Sequence, residues 1–178
     1  VLRKVVVTHS SKDVDREVIL GVNTDALTKE DSVISSSICD ANAIAHPLKW
    51  IEAAFGISGG AVTTLHPWLS YQNLVDGPSI SQSNPGVVWG DFALGRAAGE
   101  SMIPKNTTAL TATEKIIPAI AGKLLSFSYR IPTRTVASSD LTLHLESSVT
   151  TKQLEQFLND QCLQSDYVRA NYESLVSV

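Results

Sequence analysis

Leu141-Thr142-Leu143-His144-Leu145-Glu146 is the stretch on which the reading of the fold turns. Leucine at every second position puts an apolar row on one side, with Thr142, His144 and Glu146 on the other. That alternation is the mark of a strand with one face turned to a core. The strand is read over Val136 to Glu146. Just upstream, Leu124 to Ile131 reads as another, so two consecutive strands meet near Pro132. Downstream, Thr150-Thr151 precede an amphipathic helix over Lys152 to Leu163, with Leu154, Phe157, Leu158 and Cys162 on one side.

Working outward, Leu2 to Thr8 is β-branched and reads as a short buried strand, and Val18 to Val22 as a second. Ser32 to Ile38 leads up to Cys39. Ala41 to Phe55 has helical composition, and Pro47 either kinks that helix or begins it. Gly56 and Gly59-Gly60 are expected to end it. Ala61 to Gln72 reads as a strand, Asp76 to Asp91 as a long Gly/Pro-rich loop, and Thr107 to Ile117 as a helix stopped by Pro118. Leu175 to Val178 looks like the start of a last strand. The order of elements predicts an α+β fold: a largely antiparallel mixed sheet with helices packed on one face.

The 178 residues suit a single domain spanning 1–178. With 43% hydrophobic and 18% charged residues, a core is affordable and wholesale disorder is excluded. Fourteen Lys and Arg against eighteen Asp and Glu, with no basic run, argue against nucleic acid as a partner. No apolar run reaches membrane-spanning length. Two cysteines are too few for a disulfide scaffold, so a reduced, cytoplasmic setting is expected. The chain opens Val1-Leu2-Arg3-Lys4, with neither an initiator Met nor a secretory signal, as a processed, excised or partial chain would.

Few residues offer chemistry. Cys39 stands just before a helix, where the positive end of the helix dipole favours a thiolate; the plain alternative is a small buried hydrophobe. His66 lies in a strand between Thr64 and Trp68, either as a base or as an ordinary satisfied histidine. Arg130, in an otherwise apolar strand, is a surface side chain or an anion ligand. Thr107-Thr108 at a helix start serve as a cap or as a phosphate cradle, since both use the same N–H groups. No metal site is expected.

Ser35-Ser36-Ser37-Ile38-Cys39-Asp40-Ala41-Asn42 resembles the cysteine motif of the glyceraldehyde-3-phosphate dehydrogenases, Ser-Asn-Ala-Ser-Cys-Thr-Thr-Asn-Cys. Ser11-Lys12-Asp13, Gly21-Val22-Asn23, Phe55-Gly56-Ile57, Thr63-Thr64-Leu65-His66, Val75-Asp76-Gly77-Pro78, Glu100-Ser101-Met102-Ile103-Pro104, Arg130-Ile131-Pro132-Thr133 and Leu175-Val176-Ser177 follow in family order. The resemblance implies a catalytic domain alone. Residues 1–31 would be the connecting strand and loop from a nucleotide-binding domain outside the chain, and the family's final strand and C-terminal helix are absent. It further implies Cys39 as nucleophile, His66 as base, and Thr107, Thr108 and Arg130 as substrate- or phosphate-binding residues. NAD or NADP would be the hydride acceptor, bound outside this chain, which has no Gly-x-Gly-x-x-Gly loop. A small aldehyde, inorganic phosphate, a glycolytic role and a homo-oligomer complete the expectation.

Three departures are set against it. Asp40 replaces the threonine after the cysteine, Leu69 a phosphate-binding threonine, and Leu94 an arginine. Each removes an anion ligand, and Asp40 adds negative charge that opposes both a thiolate and phosphate. The competing reading is a non-catalytic family relative acting as an assembly or interaction module; a third is thioester or esterase chemistry without nicotinamide.

Overall fold

The computed structural model describes residues 4–81, 84–90 and 92–171. It contains seven strands and three α-helices: β1 (Val5–Val7), β2 (Arg16–Glu17), β3 (Val33–Ser35), α1 (Cys39–Phe55), β4 (Ile57–His66), β5 (Ile103–Pro104), α2 (Ala109–Ile116), β6 (Leu124–Arg130), β7 (Ser138–Leu145) and α3 (Thr151–Gln164). The fold is α+β, with three helices and a mixed, mostly antiparallel main sheet. The strand stub expected at Leu175–Val178 lies outside the described residues.

The main sheet has the order β5-β6-β4-β7. Ile103 opposes Arg130 and Pro104 opposes Tyr129 in the antiparallel β5–β6 pair. Past the end of β7, Glu146 N–H donates to Gly56 O at 3.1 Å and Ser147 N–H to Phe55 O at 3.0 Å, the reversed register of an antiparallel neighbour. Between β4 and β6 the register runs in the same direction. Thr64 Oγ1 donates to Ser128 Oγ at 2.8 Å, and farther along Ile131 N–H donates to His66 O at 2.9 Å. In β7 the leucines are half-buried and alternate with exposed Thr142 and His144, as the sequence pattern demands.

A second sheet, unforeseen, joins β1, β3 and β2 in parallel, with Val6 beside Ile34 and Arg16 also beside Ile34. Here two expectations are corrected. Of the strand expected over Leu2–Thr8, residues 2 and 3 lie outside the described residues; the rest forms Val5–Val7 and is not buried, with Val6 59% exposed. β-Branching signals an extended backbone, whereas burial depends on what covers an edge strand, and among the described residues β1 pairs only with β3. The strand expected at Val18–Val22 is displaced to Arg16–Glu17. Asn23 folds the following backbone into a turn by accepting from Ile19 N–H at 2.9 Å and donating to Glu17 O at 3.0 Å. Val18, Ile19 and Val22 are buried all the same.

Two compact units make up the chain. Among the described residues, the first comprises 4–61, 108–125 and 142–171; the second comprises 62–81, 84–90, 92–107 and 126–141. In the first, α1 buries Ala41, Ile44, Ala45, Leu48 and Ile51, one stripe at helical spacing. It packs against α2 and α3, with Phe55 edge-on to Phe157 at 5.0 Å. Pro47 lies within α1, so the helix begins eight residues before it, at Cys39. Gly59 and Gly60 belong to β4 rather than to a helix end, and at Gly60 the backbone of β7 at Thr142 comes too close for a Cβ. β4 stops at His66 because Pro67 has no N–H to offer the sheet. α3 opens with a capping box: Gln153 N–H donates to Thr150 Oγ1 at 3.3 Å, and Thr150 N–H to Gln153 Oε1 at 2.9 Å.

The second unit holds Val62, Thr64 and His66 on the buried face of β4. Its long loop carries exposed apolar side chains, Leu74, Val75, Val87, Val88 and Phe92 among them. Tyr71 meets Trp89 edge-on at 5.4 Å.

Candidate active site

In the first unit, the parallel strand β3 runs through Ser36-Ser37-Ile38 into α1, so the strand-to-helix turn delivers Cys39 as the first helical residue. Its side chain is exposed, contrary to the plain reading of a buried hydrophobe. Ile38 is the N-cap and supplies no side-chain cap, so the thiol stands at the end of the helix where the first-turn N–H groups point. The turn is pinned from several directions. Ser36 N–H donates to Val7 O at 2.9 Å, and Val18 N–H to Ser35 O at 2.8 Å. Asn42 Nδ2 donates to Ser36 O at 2.8 Å and to Ile38 O at 3.0 Å.

Asp40 is buried in the same first turn, and Cys39 Sγ lies 3.9 Å from its Oδ1. A carboxylate in the first turn complements the helix dipole. Nearly two turns farther along, His46 is buried and held below the usual histidine range by that burial, with Lys49 adding to the effect. On the β2 side, Asp31 pairs with Arg16 at 2.9 Å and accepts from Thr28 N–H at 2.7 Å. Those two bonds lower its carboxyl to about 2.

In the second unit, β4 ends on His66, which is buried. Arg130, at the end of β6, is half-buried and donates from Nη1 to Pro67 O at 3.0 Å. Strand pairing therefore brings His66 and Arg130 to one end of the sheet, and the guanidinium already binds a carbonyl of the His66 segment. Leu69 is half-buried with its N–H bonded to Gln72 Oε1 at 2.8 Å, and Leu94 sits in the short 3-10 turn Phe92–Gly95. Thr107 lines a cavity of about 450 Å³ with Lys105, Asn106, Ser126, Ser128 and Tyr129. Thr108, in the first unit, is the N-cap of α2 and is exposed. Its hydroxyl makes no capping bond, so the cap role considered for this pair is not realised by Thr108.

Two residues near the thiol escaped the reading of the sequence. Ser37 has φ +64, a left-handed conformation unusual for a residue with a Cβ. Glu17 is buried and accepts from Ser37 Oγ at 2.6 Å. Only the serine run before Cys39 hinted at the first; nothing local distinguishes Glu17.

The fold and the cysteine-bearing turn define a class of domain that presents one thiol at a helix start. Residues 38–178 match the family glyceraldehyde 3-phosphate dehydrogenase, C-terminal domain. The chain belongs to that family. It is 35% identical over 158 residues to the glyceraldehyde-3-phosphate dehydrogenase of Haemophilus influenzae, covering 89% of this chain and 44% of the relative. Against that of Atriplex nummularia it is 36% identical over 159 residues, covering 89% and 41%. Against that of Serratia marcescens it is 35% identical over 158 residues, covering 89% and 50%. The chain thus spans at most half the length of these relatives.

Proposed function

We propose that this chain is the catalytic domain of a divergent aldehyde dehydrogenase of the glyceraldehyde-3-phosphate dehydrogenase type. Cys39 is the nucleophile that adds to an aldehyde carbon as a thiohemiacetal, and His66 takes the hydroxyl proton as the thioester forms. The observation that carries this reading is the exposed Cys39 as first residue of α1, inside the stretch that matches the family. Thr107, Thr108 and Arg130 receive the anionic part of the substrate or inorganic phosphate. Residues 1–31 act as the connection to a nucleotide-binding domain.

NAD or NADP, when bound, accepts the hydride. The residues of this chain do not fit as its holder. Among the described residues, the turn from a parallel strand into a helix is Ser36-Ser37-Ile38, with no glycine to let a pyrophosphate approach, and Ser37 turns its hydroxyl to Glu17. The chain therefore contributes thiol, base and anion donors, and the nicotinamide is held elsewhere.

A homo-oligomer goes with this reading, since Leu74, Val75, Val88 and Phe92 are exposed on one loop. A cytoplasmic setting suits two free cysteines, and among the described residues no helix is long and apolar enough to cross a membrane.

A second reading, a non-catalytic assembly module, is favoured by Asp40 beside the thiol and by Arg130 already bonded to Pro67 O. Aldehyde-dependent NAD(P) reduction by the protein containing this chain separates the two. Cys39→Ser should abolish it and His66→Asn should lower it about 10²–10⁴-fold. Activity that survives Cys39→Ser excludes the catalytic reading.

A further inference from the structure

We infer that Glu17 and Ser37 form a positioning pair that sets the direction of the Cys39 thiol. The inference rests on the proposed role of Cys39 as nucleophile. Ser37 lies two residues before Cys39 and holds φ +64, where its Cβ crowds its own backbone. Such a conformation persists only when its surroundings over-determine it, and strained residues gather where geometry is used. Here the surroundings are explicit. Ser37 Oγ donates to Glu17 Oε1 at 2.6 Å, a short bond to a charged acceptor, and Ser37 N–H donates to Ser35 Oγ at 2.9 Å. Ser35 Oγ in turn donates to His9 O at 2.6 Å.

Glu17 is itself immobilised. Its side chain is 4% exposed, and its other oxygen accepts from Lys115 Nζ at 3.1 Å and from Ser10 Oγ at 3.2 Å. Lys115 lies in the last turn of α2, so the carboxylate ties β2, the turn before α1 and the end of α2 to one point. A relaxed Ser37 would rotate the peptides leading into Cys39, and the thiol would change direction. Neither residue reaches the sulfur; both act through the backbone.

The test is the rate of iodoacetamide alkylation of Cys39 in the whole chain carrying Cys162→Ser, with circular dichroism to confirm folding. Ser37→Ala keeps the Cβ and loses the hydroxyl; it should slow alkylation about fivefold. Ser37→Gly also loses the hydroxyl but adopts positive φ without strain, so it should stay within about twofold of the parent. Glu17→Leu should slow the reaction as Ser37→Ala does, and the double variant no further, because both remove one interaction. Glu17→Gln retains an acceptor and should remain near the parent rate. If Glu17→Leu does not fold, the two Ser37 variants, differing by one methyl group, still decide. Equal rates in Ser37→Ala and the parent, equal slowing in Ser37→Gly and Ser37→Ala, or slowing in Glu17→Gln would each overturn the inference. Alkylation needs neither substrate nor cofactor, so its outcome is separate from the loss of turnover in Cys39→Ser that tests the catalytic role.

Discussion

Tyr167 stacks on His46 with ring centroids 5.6 Å apart and 21° between the planes, and its edge lies against Gly21. The segment after α3 is thereby held to α1 and to the turn after β2, all within the first unit. Gly21 has φ +77, and a Cβ there would come within 2.6 Å of the Tyr167 ring. Gly21→Ala should therefore destabilise the chain by about 1–3 kcal/mol, through both strain and displacement of the ring. Thermal or urea unfolding measures this; an unchanged midpoint would show that Tyr167 is not held there in solution.

His46 makes the same contact pH-dependent. Its folded pKa is lowered, so the unfolded chain binds the proton more readily. Stability from this group is complete above the ordinary histidine pKa of about 6.5 and is lost as pH falls below it. The unfolding midpoint should drop between about pH 7 and pH 5, and His46→Gln should flatten that slope. A slope unaltered in His46→Gln would assign the effect to another group.

Asp31 governs a more acidic window. Its carboxyl is lowered to about 2 by Arg16 and by the Thr28 N–H, so its contribution is present above the unfolded carboxylate pKa and disappears as pH falls from about 4 toward 2. Asp31→Asn should be less stable than the parent at neutral pH, and the gap should close in acid. A gap that stays constant across that range would contradict the assignment.

Asp40 sits beside the Cys39 thiol as a hydrogen-bond acceptor. Cys39 Sγ donates to its Oδ1 at 3.9 Å, and a neutral hydroxyl at this position would remove a negative group from beside the sulfur. Asp40→Thr, which restores the family residue, should speed alkylation of Cys39 about three- to tenfold and tighten phosphate binding measured by calorimetry. If both quantities stay at the parent values, Asp40 has no electrostatic part in the site.

Loss of the Thr150 cap should cost about 0.5–2 kcal/mol in Thr150→Ala, read by chemical denaturation. The helix it starts has no fully buried residue, so capping and the Phe55–Phe157 contact carry much of its hold on the unit. Less than a few tenths of a kcal/mol would mean that α3 depends on packing alone.

Much of this molecule follows from local patterns in the sequence. The leucine alternation over 141–145 specifies β7, Thr150 to Gln153 specify the start of α3, and the run from Ser35 to Asn42 marks the turn into α1 with Cys39 at its head. These are short-range effects: side-chain periodicity, capping and backbone preference act within one or two turns of chain. Other features were decided by contacts between distant segments. Val5 and Val6 are extended as their β-branching demands, yet exposed, because β1 gained only one partner. The backbone at Val18–Val22 turns instead of extending because Asn23 bonds to Ile19 and Glu17. Ser37 adopts a conformation its own chemistry disfavours because Glu17, twenty residues earlier, accepts its hydroxyl while Lys115 on α2 holds Glu17 still. A buried carboxylate collects whatever donors the fold brings to it, and which donors those are is a property of the packed chain, not of any stretch read alone.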